Sequence, residues 1–126
     1  MKGPLENIRV LDFSEIIAGP FAGMLLSDMG ADVIKIEPPW GEPWRFSQPI
    51  VPNESRTYIS LNRGKKSLTL DLNKDSAKQI IYDLINDIDV VIVNYRPDVP
   101  ANLGIDYETL SKINPKLIYC QNTAYG

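Results

Sequence analysis

Apolar and polar residues follow two different periods along the chain, and the period changes from one segment to the next. Short β-favouring runs at 8–13, 32–37 and 66–72 predict strands, as does the run at 89–93, whose last four residues are all apolar. Between them, apolar residues recur at helical spacing, most clearly along 77–88. Strands that alternate with helices are typical of the α/β class, in which an open, mostly parallel sheet is flanked by helices.

The N-terminal segment predicts the first parallel pair of this sheet. A helix begins at Gly19-Pro20, because the N–H that proline lacks would have no helical partner in a first turn. Gly30 is the left-handed residue that commonly ends a helix, and the strand at 32–37 follows it. A strand, a helix and a second strand within about 30 residues form a unit whose strands run parallel. We therefore expect a Rossmann-like sheet.

The C-terminal half predicts another such unit and one further strand. Asn73 is placed to cap a helix. The apolar residues of that helix share one face: Ala77, Ile80, Ile81, Leu84, Ile85 and Ile88. The strand at 89–93 is apolar at four successive positions, as is typical of a strand buried on both faces. A short polar helix at 106–113 and a last strand at 117–120 complete the predicted order.

Residues 38–57 form a segment rich in proline and tryptophan. It contains five of the ten prolines and both tryptophans, Trp40 and Trp44. Proline removes a main-chain donor, so neither a regular helix nor a central strand fits here. A loop of this length within a compact domain usually has a function. Two interpretations stay open: the tryptophans stack on a ligand, or they pin the loop to the core.

Composition narrows the class of protein. The chain has 126 residues, 44% of them hydrophobic and 23% charged, which predicts a single globular domain over 1–126. Neither a membrane span of roughly 18 apolar residues nor an export signal is visible, so we expect no membrane partner. The single cysteine, Cys120, fits a reducing, cytoplasmic location. The lack of histidine excludes Ser-His-Asp and Cys-His catalysis and makes a metal site unexpected.

The charge distribution bears on the choice of partner. A net charge of −3 argues against nucleic acid, because proteins that bind it normally carry a basic excess. One segment departs from this balance, since Arg56, Arg63, Lys65 and Lys66 occur with no acidic residue among them. Such a segment either faces a small polyanion or is a solvated loop.

Candidate ligand-binding residues lie where the predicted parallel strands end, because ligands of open sheets bind beyond those ends. The ends are expected at 13–19, 37–41, 94–99 and 121–126. The first of them leads into a helix N-terminus, where free N–H groups favour an anion.

Two features of these strand ends have competing interpretations. Glu37 stands where a dinucleotide-binding fold holds a ribose, but the G-x-G-x-x-G fingerprint is absent, which disfavours that function. Asn94, Tyr95 and Arg96 offer an amide, an aromatic face and a guanidinium to a nucleotide or phosphate. The alternative for this last segment is a polar turn ended by Pro97.

Several ordered segments carry a resemblance to a known family. They are 5–13 (LENIRVLDF), 18–22 (AGPFA), 30–37 (GADVIKIE), 61–68 (LNRGKKSL), 89–90 with 94–97 (NYRP), 103–104 (LG) and 113–119 (INPKLIY). Together they resemble the opening of family III CoA-transferases, the CaiB/BaiF type, over essentially the whole chain in one register.

The resemblance implies transfer of coenzyme A (CoA) from an acyl-CoA to a free carboxylic acid. In the family an aspartate attacks the thioester, which is chemistry that a carboxylate performs without histidine or metal. That aspartate lies beyond the segment matching 119–126, so the resemblance assigns no catalytic residue to this chain. Family members are much longer and form dimers of interlocked chains, which implies a homo-oligomer.

Seven positions match family residues that contact the coenzyme: Ile17, Ala18, Leu70, Asn73, Asn94, Tyr95 and Arg96. The resemblance implies main-chain contacts at Ile17 and Ala18, in the first strand-to-helix loop. In the family, basic residues are frequent where Asn73 and Asn102 stand here, and a basic residue sometimes contacts phosphate where Pro38 stands. Since charge-assisted contacts are the stronger ones, their loss implies weak binding of CoA.

Three functions stay open on the sequence. The first is the CoA- or acyl-CoA-binding part of a truncated family III CoA-transferase, inactive alone. The second is a standalone CoA-binding, structural or interaction protein without turnover. The third is part of an acyl-CoA racemase, because α-methylacyl-CoA racemases share the same opening.

Overall fold

The computed structural model describes residues 3–52 and 54–124. In chain order, its elements are β1 (Arg9–Asp12), α1 (Ala18–Asp28), β2 (Asp32–Glu37), a 3-10 helix (Pro43–Phe46), β3 (Pro49–Val51), β4 (Glu54–Ser55), α2 (Arg56–Asn62), β5 (Lys66–Thr69), α3 (Asp75–Ile85), β6 (Val90–Val93), α4 (Asp98–Leu103), α5 (Tyr107–Ile113) and β7 (Ile118–Gln121). The residues 125–126 of the last predicted strand end lie outside the described residues.

Five of the strands form one parallel sheet in the order β5-β2-β1-β6-β7. The predicted α/β class with a Rossmann-like sheet is therefore confirmed. The chain proceeds from β1 outward through β2 to β5, then returns to the other side of β1 and continues through β6 to β7. The winding direction reverses between β1 and β6, which makes their carboxyl ends the switch point of the sheet.

Each face of the sheet is covered by its own apolar core. On β6, Val91 and Val93 contribute to the larger core, which includes Ile81 and Ile85 of α3. Ile92 points to the other face and belongs to a smaller core. The side chains of a strand alternate between faces, so this uninterrupted apolar strand serves both cores. The prediction that it is buried on both sides is confirmed.

The helix ends agree with the sequence in one case and differ in another. Gly30 follows α1 at a φ of 103°, the positive value predicted for it. The prediction that Asn73 caps α3 is wrong, because the cap position is held by Lys74 without a side-chain hydrogen bond. The Asn73 amide instead donates to the Asp71 carboxylate at 3.0 Å. This local bond competes with helix capping in the way typical of asparagine.

The segment 38–57 contains short irregular elements rather than a long structureless loop. The 3-10 helix is capped by Glu42, whose Oε1 accepts the Trp44 N–H at 2.9 Å. A small hairpin of β3 and β4 follows, and α2 begins at Arg56. The interpretation that both tryptophans pin this segment to the core is wrong for Trp40, which is 63% exposed.

Two short helices were not predicted. The α2 helix begins after Ser55, whose hydroxyl accepts the Tyr58 N–H at 3.1 Å. The α4 helix contains Pro100 near its start, where a missing N–H costs no helical hydrogen bond. Both are too short for a hydrophobic period to show in the sequence. Within the described residues, no helix is long and apolar enough to cross a membrane.

Candidate functional site

A cleft opens beyond the carboxyl ends of β2, β5 and β6, next to the switch point. Its apolar lining consists of Ile36, Pro38, Trp40, Leu70, Leu72 and Leu103. Its polar lining consists of Glu15, Glu37, Asp71, Asn73 and Tyr95. An apolar lining with a few polar groups is the usual character of a site for a small organic molecule.

Three of the seven predicted positions line this cleft: Leu70, Asn73 and Tyr95. Leu70 follows β5 and continues its pairing, since its N–H donates to the Glu37 carbonyl at 2.8 Å. Burial raises the pKa of the Tyr95 hydroxyl, and the nearby charge of Glu15 raises it further. Tyr95 therefore presents a neutral phenol, which can donate or accept a hydrogen bond.

Asn94 and Arg96 have different surroundings. The Asn94 Nδ2 donates to the Glu15 carbonyl at 2.7 Å, and its Oδ1 accepts the Glu15 N–H at 2.8 Å. Its side chain is thus used to hold a main-chain segment. Arg96 is exposed and pairs with Asp98 at 2.8 Å, beside a second depression that Tyr95 also lines. A coenzyme contact at Asn94 or Arg96 stays a prediction.

Three side chains from other segments hold the β1–α1 loop, residues 13–17. Besides Asn94, the Lys35 Nζ donates to the Ser14 carbonyl at 2.7 Å. The Glu42 Oε2 accepts the Ile16 N–H at 3.1 Å and lies 3.6 Å from the Lys35 Nζ. The side chains of Lys35 and Glu42 are each only 1% exposed. The sequence offered one signal of this arrangement, a lysine within the otherwise apolar centre of β2.

Ile17 and Ala18 lie at the end of this loop, where α1 begins, and both are exposed. Within the described part of the chain, their N–H groups and that of Gly19 donate to no protein acceptor. The first N–H groups of a helix have no intrahelical partner. Ile17 and Ala18 thus offer main-chain donors at the surface, and a coenzyme contact there stays a prediction.

A buried ion pair lies beneath the start of α1. The Lys65 Nζ donates to the Asp12 carboxylate at 2.7 Å, to the Pro20 carbonyl at 2.8 Å and to the Asn62 side chain at 2.8 Å. Burial lowers the pKa of Lys65, and the Asp12 charge opposes that change. Lys65 therefore belongs to the interior, where it ties α1 and α2 to the end of β1.

The basic segment 56–66 is only partly available to a ligand. Lys65 is paired in the interior, Arg63 pairs with Asp28 at 2.6 Å, and Lys66 pairs with Asp32 at 2.6 Å. Since three of its four cations already have carboxylate partners, the segment is not a free cationic face. The part up to Asn62 is helical, so the alternative of a solvated loop is wrong there.

Glu37 lies at the end of β2 among donors that use both of its oxygens. Arg45 donates to them at 2.6 and 2.7 Å, and the Tyr58 hydroxyl donates at 2.7 Å. The Arg45 guanidinium also lies 3.8 Å from the Tyr58 ring centroid. Burial raises the pKa of Glu37, but the hydrogen bonds from Arg45 and Tyr58 outweigh it and lower that pKa to about 2. Glu37 is therefore an ionised structural carboxylate, which agrees with the weak case for a ribose-binding role.

Two further cleft residues were not singled out from the sequence: Glu15, which lies within the strand end predicted at 13–19, and Asp71. Glu15 lies in the β1–α1 loop, and burial raises its pKa, with a further increase from the Glu42 charge and a smaller opposing effect of Lys35. The cleft thus combines apolar surface, hydrogen-bond acceptors and a neutral phenol, a lining that suits a small organic ligand. Within the described residues, no group of three or more His, Cys, Asp and Glu side chains could hold a metal ion.

Comparison with known proteins identifies the family. A family model described as CoA-transferase family III matches residues 5–126. The chain belongs to CoA-transferase family III. A succinate–glutarate CoA-transferase of Agrobacterium fabrum is 42% identical over 99% of the chain, which covers 33% of that protein. The succinyl-CoA:glutarate CoA-transferase of Homo sapiens is 42% identical over 98% of the chain, which covers 28% of that protein.

Solved structures of family members have the same fold. The Rv3272 protein of Mycobacterium tuberculosis matches with a TM-score of 0.92 and 43% identity, over 99% of this chain and 36% of that one. A CAIB/BAIF family protein from Brucella suis matches with a TM-score of 0.90 and 38% identity, over 96% of this chain and 33% of that one. The chain therefore spans about a third of the length of the family III relatives that it matches.

Proposed function

We propose that the chain is the CoA-binding part of a family III CoA-transferase and that CoA or acyl-CoA binds in the switch-point cleft. The observation that carries this proposal is the position of Leu70, Asn73 and Tyr95 around one cleft beyond the strand ends. These three positions are separated in sequence, and the family resemblance assigned each of them to the coenzyme. Open parallel sheets place their ligands at this point.

The lining of the cleft fits the adenosine part of the coenzyme. Its apolar side chains and the exposed Trp40 ring offer surface to a flat base. The carboxylates of Glu15 and Asp71 accept hydrogen bonds from amino or hydroxyl groups. No lysine or arginine of the described residues lines the cleft, so phosphate groups gain little from it. Binding by this chain alone is therefore expected to be weak.

Tryptophan fluorescence tests the proposal directly. Trp40 lines the cleft and Trp44 does not, so CoA is expected to change the emission of the natural chain and of Trp44→Phe. The change is expected to disappear in Trp40→Phe, while calorimetry still detects CoA binding to that variant. If neither fluorescence nor calorimetry responds to millimolar CoA, the proposed function is wrong.

We further propose that this chain has no transferase activity alone, because the resemblance places the family nucleophile beyond residue 126. A thioester-exchange assay with succinyl-CoA and free dicarboxylic acids is expected to show no turnover above the uncatalysed rate. Clear turnover would contradict this and would require a nucleophile among the chain's own carboxylates. The reaction of a whole family III protein containing this segment is proposed to be CoA transfer between carboxylic acids.

Association of the chain with itself is the last part of the proposal. Four large apolar residues along α1 and its ends are exposed at spacings of four: Ile17, Phe21, Leu25 and Met29. Contiguous apolar surface of this kind commonly marks an interface. We propose that the chain forms homo-oligomers through this stripe.

The exposed thiol of Cys120 fits a reducing compartment, proposed to be the cytoplasm.

A further inference from the structure

The β1–α1 loop contains a residue in an unfavourable main-chain conformation. Ile16 has a φ of 69°, in the left-handed region that β-branched residues rarely adopt. Its side chain is 44% exposed, so burial of the side chain does not account for the conformation. Such strain persists only where surrounding contacts impose it.

The contact that acts on Ile16 itself comes from Glu42. The Glu42 Oε2 accepts the Ile16 N–H at 3.1 Å, while its Oε1 accepts the Trp44 N–H at 2.9 Å. Both oxygens must therefore be acceptors, which a carboxylate supplies and a carboxamide does not. The Lys35 Nζ lies 3.6 Å from Oε2 and balances the buried charge. The requirement for a carboxylate at this buried position follows from these three partners together.

The conformation of Ile16 determines how the main chain continues into α1. Asn94 holds the main chain of Glu15 from one side. Ile17 and Ala18 follow, and their N–H groups have no protein acceptor among the described residues. A left-handed residue turns the chain sharply, so the φ of Ile16 sets the direction of the N–H groups that come next.

We propose that Glu42 is a positioning residue for coenzyme binding: its carboxylate holds Ile16 in the left-handed conformation and thereby presents the Ile17 and Ala18 N–H groups to CoA. The inference rests on the proposed function, because it assumes that CoA is the ligand of this loop. It also links the segment rich in proline and tryptophan to the β1–α1 loop through one buried side chain. Glu42 acts through Ile16 and touches no ligand itself.

Glycine offers a matched test of this role, because it adopts positive φ without strain. If Glu42 acts by holding Ile16, it becomes dispensable once Ile16 is replaced by glycine. Calorimetry with CoA is therefore compared for the natural chain, Glu42→Gln, Ile16→Gly and the double variant. Glu42→Gln is expected to weaken CoA binding about tenfold, whereas the double variant is expected to match Ile16→Gly within about threefold.

The same series separates positioning from a general structural role. If Glu42 served only to cap the 3-10 helix or to neutralise Lys35, glycine at position 16 would not restore binding. A double variant that binds as weakly as Glu42→Gln, or a Glu42→Gln variant that binds like the natural chain, would overturn the inference. Glu108→Gln removes an exposed carboxylate on α5 and is the control, expected to leave binding unchanged.

A measurement without ligand keeps the inference distinct from the proposed function. Hydrogen exchange of the Ile16 amide, followed by NMR on folded protein, is expected to be at least about tenfold faster in Glu42→Gln than in the natural chain. Unchanged exchange would overturn the role of Glu42 even if CoA binds. If exchange is faster in Glu42→Gln but the chain binds no CoA, the hold of Glu42 on Ile16 is confirmed. The proposed function and the positioning for CoA would then both fail.

Discussion

Glu37 shows how a nearly buried side chain in this protein keeps its charge. Its carboxylate is only 3% exposed, yet Arg45 and Tyr58 donate to it and its pKa falls to about 2. Removing one partner of such a group costs more than the pair contributes when intact, because the charge stays buried without compensation. The main consequence is that Arg45 and Tyr58 must stay beside Glu37, at the end of β2 that borders the cleft.

Replacing Arg45 by methionine is expected to lower the free energy of unfolding by about 2 kcal/mol at pH 7. The pKa of Glu37 lies below its ordinary value of 4.5. The stabilisation by Arg45 is therefore complete above about pH 4.5 and is lost as the pH falls towards 2. Urea unfolding of both proteins from pH 7 to pH 2 should show the difference shrinking over that range.

Arg63→Met is the matched control for this experiment. Arg63 pairs with Asp28 at 2.6 Å, but the two side chains are 55% and 41% exposed. Its loss is expected to cost less than about 1 kcal/mol. An Arg45 variant no less stable than the Arg63 variant at pH 7 would contradict the structural role given to Glu37.

At the scale of the element, α3 illustrates how one helix covers the larger core. Ala77, Ile81 and Ile85 are buried, and Ile88 stays buried just after the helix ends. Ile80 belonged to the apolar face predicted from the sequence, but it is 43% exposed. Neighbouring isoleucines on the same helix thus differ mainly in their contact with the sheet.

Ile81→Ala is therefore expected to lower the free energy of unfolding by about 3 kcal/mol, because it leaves a cavity in the larger core. Ile80→Ala makes the same chemical change on the exposed side and is expected to cost less than about 1 kcal/mol. Both variants gain the same helix propensity, so the difference isolates burial. Equal losses in urea unfolding would show that α3 packs through a different face.

At the scale of the whole molecule, the two faces of the sheet are covered unequally. The face that packs against α3 and α5 has the larger core, while the opposite face has a small core against α1. The outer side of α1 carries the stripe of Ile17, Phe21, Leu25 and Met29, which meets solvent. This is the surface through which we propose that chains associate.

Light scattering tests this association. The natural chain is expected to shift towards oligomers as its concentration rises, and a Phe21→Glu/Leu25→Glu variant is expected to remain monomeric, because charge on the stripe disfavours its burial. Ile80→Glu places one such charge on an exposed isoleucine of α3, outside the stripe, and should not alter association. A natural chain that stays monomeric at high concentration would contradict the proposal.

The sequence alone determined the elements of the main sheet and its class. Hydrophobic period is a local property, so strands such as Asp32–Glu37 and the apolar run at 89–93 are visible without knowledge of their neighbours. The same pattern placed the candidate ligand site, because parallel strands always end at one edge. Helices as short as α2 and α4 escaped prediction, since tertiary packing rather than an intrinsic pattern stabilises them.

Only the tertiary structure decided which charged side chains meet. Lys65 reaches Asp12 across 53 positions of sequence, and Glu42 reaches Ile16 across 26. The Asn94 side chain, predicted from the resemblance to contact the coenzyme, holds the main chain of Glu15, a bond that the sequence did not reveal. Such pairings depend on the order of strands in the sheet and on burial, both of which arise from the fold of the entire chain. A hydrophobic pattern reports whether a residue is inside, but it does not report which partner it finds there.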